Sequence, residues 1–168
     1  MIELVYVKLE VKDMTRKLYY EDSYIKEFDA IVVSCQALDD GKYAIITDST
    51  AFFPEGGGQP SDIGILGNAN ITYAYEDGDN VVHISDKVIN VGTKVHGRID
   101  FERRFRLMQN HSGEHILSGI VNRKYGFNNV GFHMGETDLT IDYNSFLSKE
   151  ELRADNKDIV LSASVLYR

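Results

Sequence analysis

Two histidines four residues apart lie in the run His111-Ser112-Gly113-Glu114-His115, inside a stretch that reads as one long helix. Four residues of α-helix turn the chain by about 400° and raise it by about 6 Å, so both imidazoles leave one face and can converge on a single metal ion. A catalytic zinc takes three protein ligands and keeps one position for water, whereas a structural zinc takes four. The pair supplies two, and a chance pairing of surface or core histidines has the same spacing. Glu114 directly precedes the second histidine, unlike the general base of a His-Glu-x-x-His protease, which disfavours that reaction class. His133 is either a further ligand or an imidazole on the open face of a strand. Upstream, Phe53-Pro54-Glu55-Gly56-Gly57-Gly58-Gln59-Pro60 offers successive backbone N–H groups without Cβ atoms. Such a run can approach a phosphate or carbonyl oxygen closely, or simply turn between strands. No Gly-Lys-Ser or Gly-Lys-Thr follows it, so it is not a nucleotide phosphate loop. Gln59 carries both a donor and an acceptor, which suits loop packing or contact with a ligand.

The elements that must position these groups are legible to different degrees. From Phe101 to Tyr125 there is no proline, Asp100 stands at the N-cap position and Gly126 just past the end. One helix is expected there. Its apolar residues, Phe105, Met108, Ile116, Leu117 and Ile120 with a second sector of Leu107, Val121 and Tyr125, predict a mostly buried helix. Between them runs a stripe of Arg104, Met108, His111, His115, Ser118 and Asn122. Buried polar groups need partners, because an unpaired one costs about 1–3 kcal/mol. After the helix, Val130–Met134 and Leu139–Tyr143 alternate with period two and read as a hairpin. Val130, Phe132, Met134, Leu139, Ile141 and Tyr143 should face inward, and His133, Thr140 and Asp142 outward.

Before the helix the chain reads as short strands. Ala30–Leu38 and Tyr43–Asp48 flank an Asp-Gly turn, and Ile63–Leu66, Asn70–Tyr75, Asn80–Ile84 and Lys94–Ile99 follow between further Gly and Asp turns. Met1–Val11 allows a first strand, Ser148–Glu151 a helix start, and Ile159–Tyr167 a last strand. The expected fold is α+β: a small antiparallel barrel or sandwich over residues 1–99, carrying the glycine-rich motif, then an α+β portion over residues 100–168.

A hydrophobic content of 43% in 168 residues is enough for an ordinary core. The absence of a long apolar run argues against a membrane span, and the lack of a signal peptide favours the cytoplasm. The single cysteine, Cys35, sits in an apolar run and is expected to be a buried thiol. A net charge of −8 disfavours non-specific coating of nucleic acid. Arg98, Arg103, Arg104, Arg106, Arg123 and Lys124 nevertheless concentrate positive charge, as a nucleic-acid contact or as a solvated helix face.

Taken together, Phe53-Pro-Glu-Gly-Gly-Gly-Gln-Pro-Ser-Asp-x-Gly, then His111-x-x-x-His115, then Val130-Gly-Phe-His-Met-Gly-Glu and Thr140-Ile-Asp resemble the alanyl-tRNA editing proteins called AlaX, which are related to the editing domain of alanyl-tRNA synthetase. The resemblance covers residues from Met14 to Leu152. It implies a β-barrel bearing the glycine motif and an α+β domain of the kind shared by alanyl- and threonyl-tRNA synthetases. It also implies hydrolysis of the ester in tRNA for alanine mischarged with serine or glycine. His111 and His115 would be two Zn2+ ligands; Gln59 and Thr140 would serve catalysis; Gly56, Gly57, Gly58 and His133 would bind substrate. The family draws its other two ligands from a later Cys-x-x-x-His motif, whereas this sequence has no cysteine after Cys35. The expectation is therefore a trans-editing hydrolase or the N-terminal part of one. The alternatives are an inactive module that binds tRNA or a protein, and a homo-oligomer paired through the C-terminal apolar strand. Residues before Met14 read as an extension.

Overall fold

The computed structural model describes residues 14–135, 138–146, 148 and 153. They are mostly strand with one long helix, an α+β composition. The chain divides into two compact units, one formed by the chain up to Pro54 with Ser61–Asp100, the other by Glu55–Pro60 with the chain from Phe101 onward.

The first unit holds strands β1 (Arg16–Lys17), β2 (Glu27–Ala37), β3 (Tyr43–Thr47), β4 (Ser49–Thr50), β5 (Gly64–Leu66), β6 (Ala69–Asp77), β7 (Asn80–Ser85) and β8 (Lys94–Ile99). Six of them close into a barrel in the order β2-β3-β7-β6-β5-β8. Antiparallel pairing of β8 with β2, from Glu27 opposite Arg98 to Ile31 opposite Lys94, completes the ring. Closure leaves those strands without a free edge. The remaining pair, β1 with β4, is parallel and matches Arg16 to Ser49.

Alternation along β2 turns Phe28, Ala30 and Val32 inward, while Ile31 and Val33 remain partly exposed. Inside, Val32, Ile45, Phe52, Leu66, Ile71 and Val81 are buried. Each such side chain contributes about 1.5–3 kcal/mol when fully buried. Phe52 meets the rings of Phe28 and His83 edge-on, at 5.8 and 5.4 Å between centroids. Phe28 lies opposite Gly97, where a Cβ would come within 2.4 Å of its ring, so the glycine is what admits the aromatic. His83 is completely buried and fully partnered. Its Nδ1–H donates to the Ile45 carbonyl at 3.0 Å, its Nε2 accepts from Thr50 Oγ1 at 2.8 Å, and Oγ1 accepts from Phe52 N–H. His96, on the outside of β8, bonds Asp29 at 2.8 Å.

The second unit contains the loop Glu55–Pro60, helix α1 (Phe101–Tyr125) and the hairpin of β9 (Asn129–Met134) and β10 (Leu139–Tyr143). The helix begins directly after Asp100 and ends at Gly126, whose φ of 74° is the left-handed conformation that suits glycine. The hairpin register sets Thr140 opposite His133 and Ile141 opposite Phe132.

Four expectations need correction. The glycine motif belongs with the helix and hairpin and not with the barrel, because Gly58 O accepts the Met134 N–H at 3.2 Å. The helix is less buried than its composition suggests: of its residues only Arg104, Leu107, Glu114, Ile120 and Val121 are buried. Val130, at the hairpin's outer end, is 65% exposed. Cys35 is half-buried, on a stretch of β2 beyond the register shift at Val32 and Ser34. The pairing of β1 with β4 was not anticipated, since two-residue strands carry no period. The expected strand at Met1–Val11, the helix start at Ser148–Glu151 and the strand at Ile159–Tyr167 lie wholly or largely outside the described residues.

Candidate active site

The glycine loop is a tight hairpin turn. Gly56 and Gln59 exchange both backbone hydrogen bonds, at 3.1 and 3.0 Å, and the two residues between them have φ of 59° and 78°. Positive φ at both central positions is what a type I′ turn requires, and Gly-Gly supplies it without steric cost. At Gly58 space matters too: a Cβ there would fall 2.5 Å from the Phe132 carbonyl oxygen. At Gly57 the nearest atom would be His111 Cε1, at 3.8 Å. The turn thus lies close along β9 and carries Gln59 to the helix.

Gln59 is only 4% exposed. Its Oε1 accepts from His111 Nδ1 at 3.0 Å, and the other end of its amide has no hydrogen-bond partner among the described residues. His111 is half-buried between two rings, Phe132 at 5.4 Å and His115 at 4.8 Å, the latter with planes 28° apart. Burial, then the adjacent His115, hold the His111 imidazole below the ordinary histidine range, with Glu114 acting in the opposite direction. His115 is largely exposed, with Nδ1 3.1 Å from Oε2 of Glu114, whose own side chain is 2% exposed. On the other carboxylate oxygen, Oε1, Glu114 accepts from Ser118 Oγ and Asn129 Nδ2, each at 2.5 Å. Asn129 Oδ1 in turn accepts the Gly131 N–H at 2.9 Å, and Ser118 Oγ lies 3.3 Å from the Tyr143 hydroxyl.

The arrangement has a simple chemical reading. Gln59 Oε1 accepts a hydrogen bond from His111, so that imidazole carries its proton on Nδ1, while Glu114 Oε2 lies at ion-pair distance from His115 Nδ1; both Nε2 atoms are left without a partner among the described residues. Neutral imidazoles with a free Nε2 and an acceptor behind Nδ1 are the usual form of metal-binding histidines. His111, Glu114 and His115 bring potential ligand atoms within 4.8 Å of one another, a group able to hold a metal ion.

The residues expected from sequence therefore gather in part. Gln59, Gly57, His111 and His115 meet. His133 and the turn residues Gly56, Gly57 and Gly58 line a cavity of about 290 Å3 together with Gln59. Thr140 stands across from His133, on the face of the hairpin opposite Phe132, and makes no hydrogen bond to the histidine pair among the described residues. Within the polar stripe, His111 bonds Gln59, Ser118 bonds Glu114, and Asn122 bonds the Phe127 carbonyl and Asn128. Glu114, Asn129 and Phe132 were missed as site residues. The Glu114–Ser118 spacing of four was the one available signal for the first.

Residues 3–103 match the family described as tRNA synthetases class II (A). Among curated relatives, the alanine–tRNA ligase of Ignicoccus hospitalis is 43% identical over 116 residues, 67% of this chain and 12% of that protein. The alanine–tRNA ligase of Thermococcus kodakarensis is 37% identical over 155 residues, 85% of this chain and 16% of its own length. The alanyl-tRNA editing protein Aarsd1 of Danio rerio is 33% identical over 132 residues, 72% of this chain and 32% of that protein. The chain thus spans 12% and 16% of the two ligases and 32% of the editing protein. The family match includes residues 3–13, read above as an extension. The chain belongs to the tRNA synthetases class II (A) family, as an AlaX-like editing protein or a fragment related to alanine–tRNA ligases.

Proposed function

We propose that this chain is the editing portion of an alanyl-tRNA editing system and hydrolyses the ester of tRNA for alanine mischarged with serine or glycine. The observation that carries the reading is the pair of free Nε2 atoms on His111 and His115, beside the buried Gln59 amide with one end unpaired. The two histidines would hold zinc through Nε2. Bound there, zinc would supply a Lewis acid for the ester carbonyl or for water.

The chain's own groups would do the rest. The turn at Gly56, Gly57 and Gly58, with His133, lines the cavity offered to the aminoacyl group. The unpaired end of the Gln59 amide would bond a polar group of the substrate, since a buried amide left unpaired costs about 1–3 kcal/mol. Thr140, across the strands from His133, would contact the serine hydroxyl. In the reaction, water oxygen bonds to the carbonyl carbon, the bond to the ribose oxygen breaks, and the 3′-terminal ribose leaves with a proton as its hydroxyl. Free amino acid and uncharged tRNA result.

Binding of tRNA without hydrolysis is the second reading. It is supported by a cavity of about 540 Å3 lined by Arg103 and Arg106 of α1, in a protein whose net charge is −8. Guanidinium groups suit phosphate. Hydrolysis of seryl-tRNA for alanine by the purified chain separates the two: release of serine supports editing, and tRNA binding with no release supports the second.

A further inference from the structure

We infer that Glu114 is a positioning residue that fixes the proton and orientation of His115. This rests on the reading of His111 and His115 as a metal-holding pair. Its geometry, however, stands without any metal. Glu114 has a buried carboxylate with one oxygen hydrogen-bonded and the other beside His115. Oε1 takes the Ser118 hydroxyl and the Asn129 amide, and Oε2 faces His115 Nδ1 at 3.1 Å.

The anchoring is asymmetric in a useful way. His115 is 73% exposed and Glu114 is 2% exposed, so an exposed ring lies against a buried carboxylate. The carboxylate is tied in turn to α1 through Ser118, one helical turn on, and to β9 through Asn129. An exposed imidazole alone would sample both tautomers and several ring orientations. A carboxylate oxygen 3.1 Å from Nδ1 favours the proton on that nitrogen and leaves the lone pair on Nε2. Gln59 does the same for His111 from the glycine turn. Two unrelated segments thus hold the pair in one form: a buried turn residue behind the first ring and a buried helix carboxylate behind the second.

Glu114→Gln tests this, because it keeps the shape and replaces one oxygen by an NH2 donor. Facing His115, that donor would require Nδ1 to accept, which moves the ring proton to Nε2. Facing Asn129, it would set donor against donor. Two readouts apply: the His115 tautomer from long-range 1H–15N correlation in metal-free protein, and zinc affinity by competition with a chelating dye. We expect the wild type to carry its proton on Nδ1, and Glu114→Gln to lose that preference and bind zinc about 10–100-fold more weakly. A wild-type His115 protonated on Nε2 would overturn the inference whether or not the variant folds. So would a folded Glu114→Gln with unchanged tautomer and zinc affinity, which would leave Glu114 only a tie between helix and hairpin. Should the wild type take up no zinc yet show the Nδ1 tautomer that Glu114→Gln loses, the metal reading fails and the positioning role stands.

Discussion

Gly57 and Gly58 look interchangeable in the sequence, yet their surroundings separate them. Both have positive φ, which costs a non-glycine residue about 1–2 kcal/mol. At Gly58 a Cβ also meets a backbone oxygen at 2.5 Å, and backbone cannot swing aside. Gly58→Ala should therefore lower the melting temperature more than Gly57→Ala and disturb the His111–Gln59 contact; equal losses in thermal unfolding would refute this. His83 gives the second prediction at this scale. Burial pushes its pKa from 6.5 down to about 4, so the folded protein keeps it neutral where the unfolded chain is already protonated. Between those values the unfolded state binds more protons, and stability falls with falling pH. This histidine's contribution, present above pH 6.5, should be lost on descent to pH 4, on the order of 3 kcal/mol. Urea titrations across that range would show it, and His83→Gln should flatten the slope.

At the scale of elements, what the sequence reveals depends on how local the cause is. Helix α1 was legible at both ends because an uninterrupted proline-free stretch, Asp100 and Gly126 are local signals. The hairpin and its register followed from period-two alternation, so that Thr140 opposite His133 could be anticipated. The destination of the glycine turn could not. It depends on one bond from Met134 N–H and on the fit of Phe132 over Gly58, contacts between segments far apart in the chain. Glu114 was illegible for the same reason: its neighbour His115 is local, but Asn129 arrives from the next element. The helix also bears Arg106, which lines the larger cavity. If that cavity takes a tRNA phosphate, Arg106→Ala should weaken binding and reduce the slope of log affinity against log salt by about 1. An unchanged slope in filter-binding titrations would move the phosphate contact elsewhere.

For the molecule as a whole, the acidic charge and the small footprint relative to its relatives set the terms. The chain spans 12% of the length of an alanine–tRNA ligase that it resembles. Among the described residues no helix is long and apolar enough to cross a membrane. The pieces that converge, the turn with Gln59, the helix with its histidines and the hairpin with Phe132 and His133, all belong to the second unit. The most direct test is hydrolysis of seryl-tRNA for alanine by the wild-type chain and by His111→Ala, with zinc supplied and with a chelator. The account predicts serine release by the wild type, suppressed by the chelator, restored by zinc, and reduced at least about 100-fold in His111→Ala. Release that ignores both chelator and substitution would contradict the role given to the histidine pair.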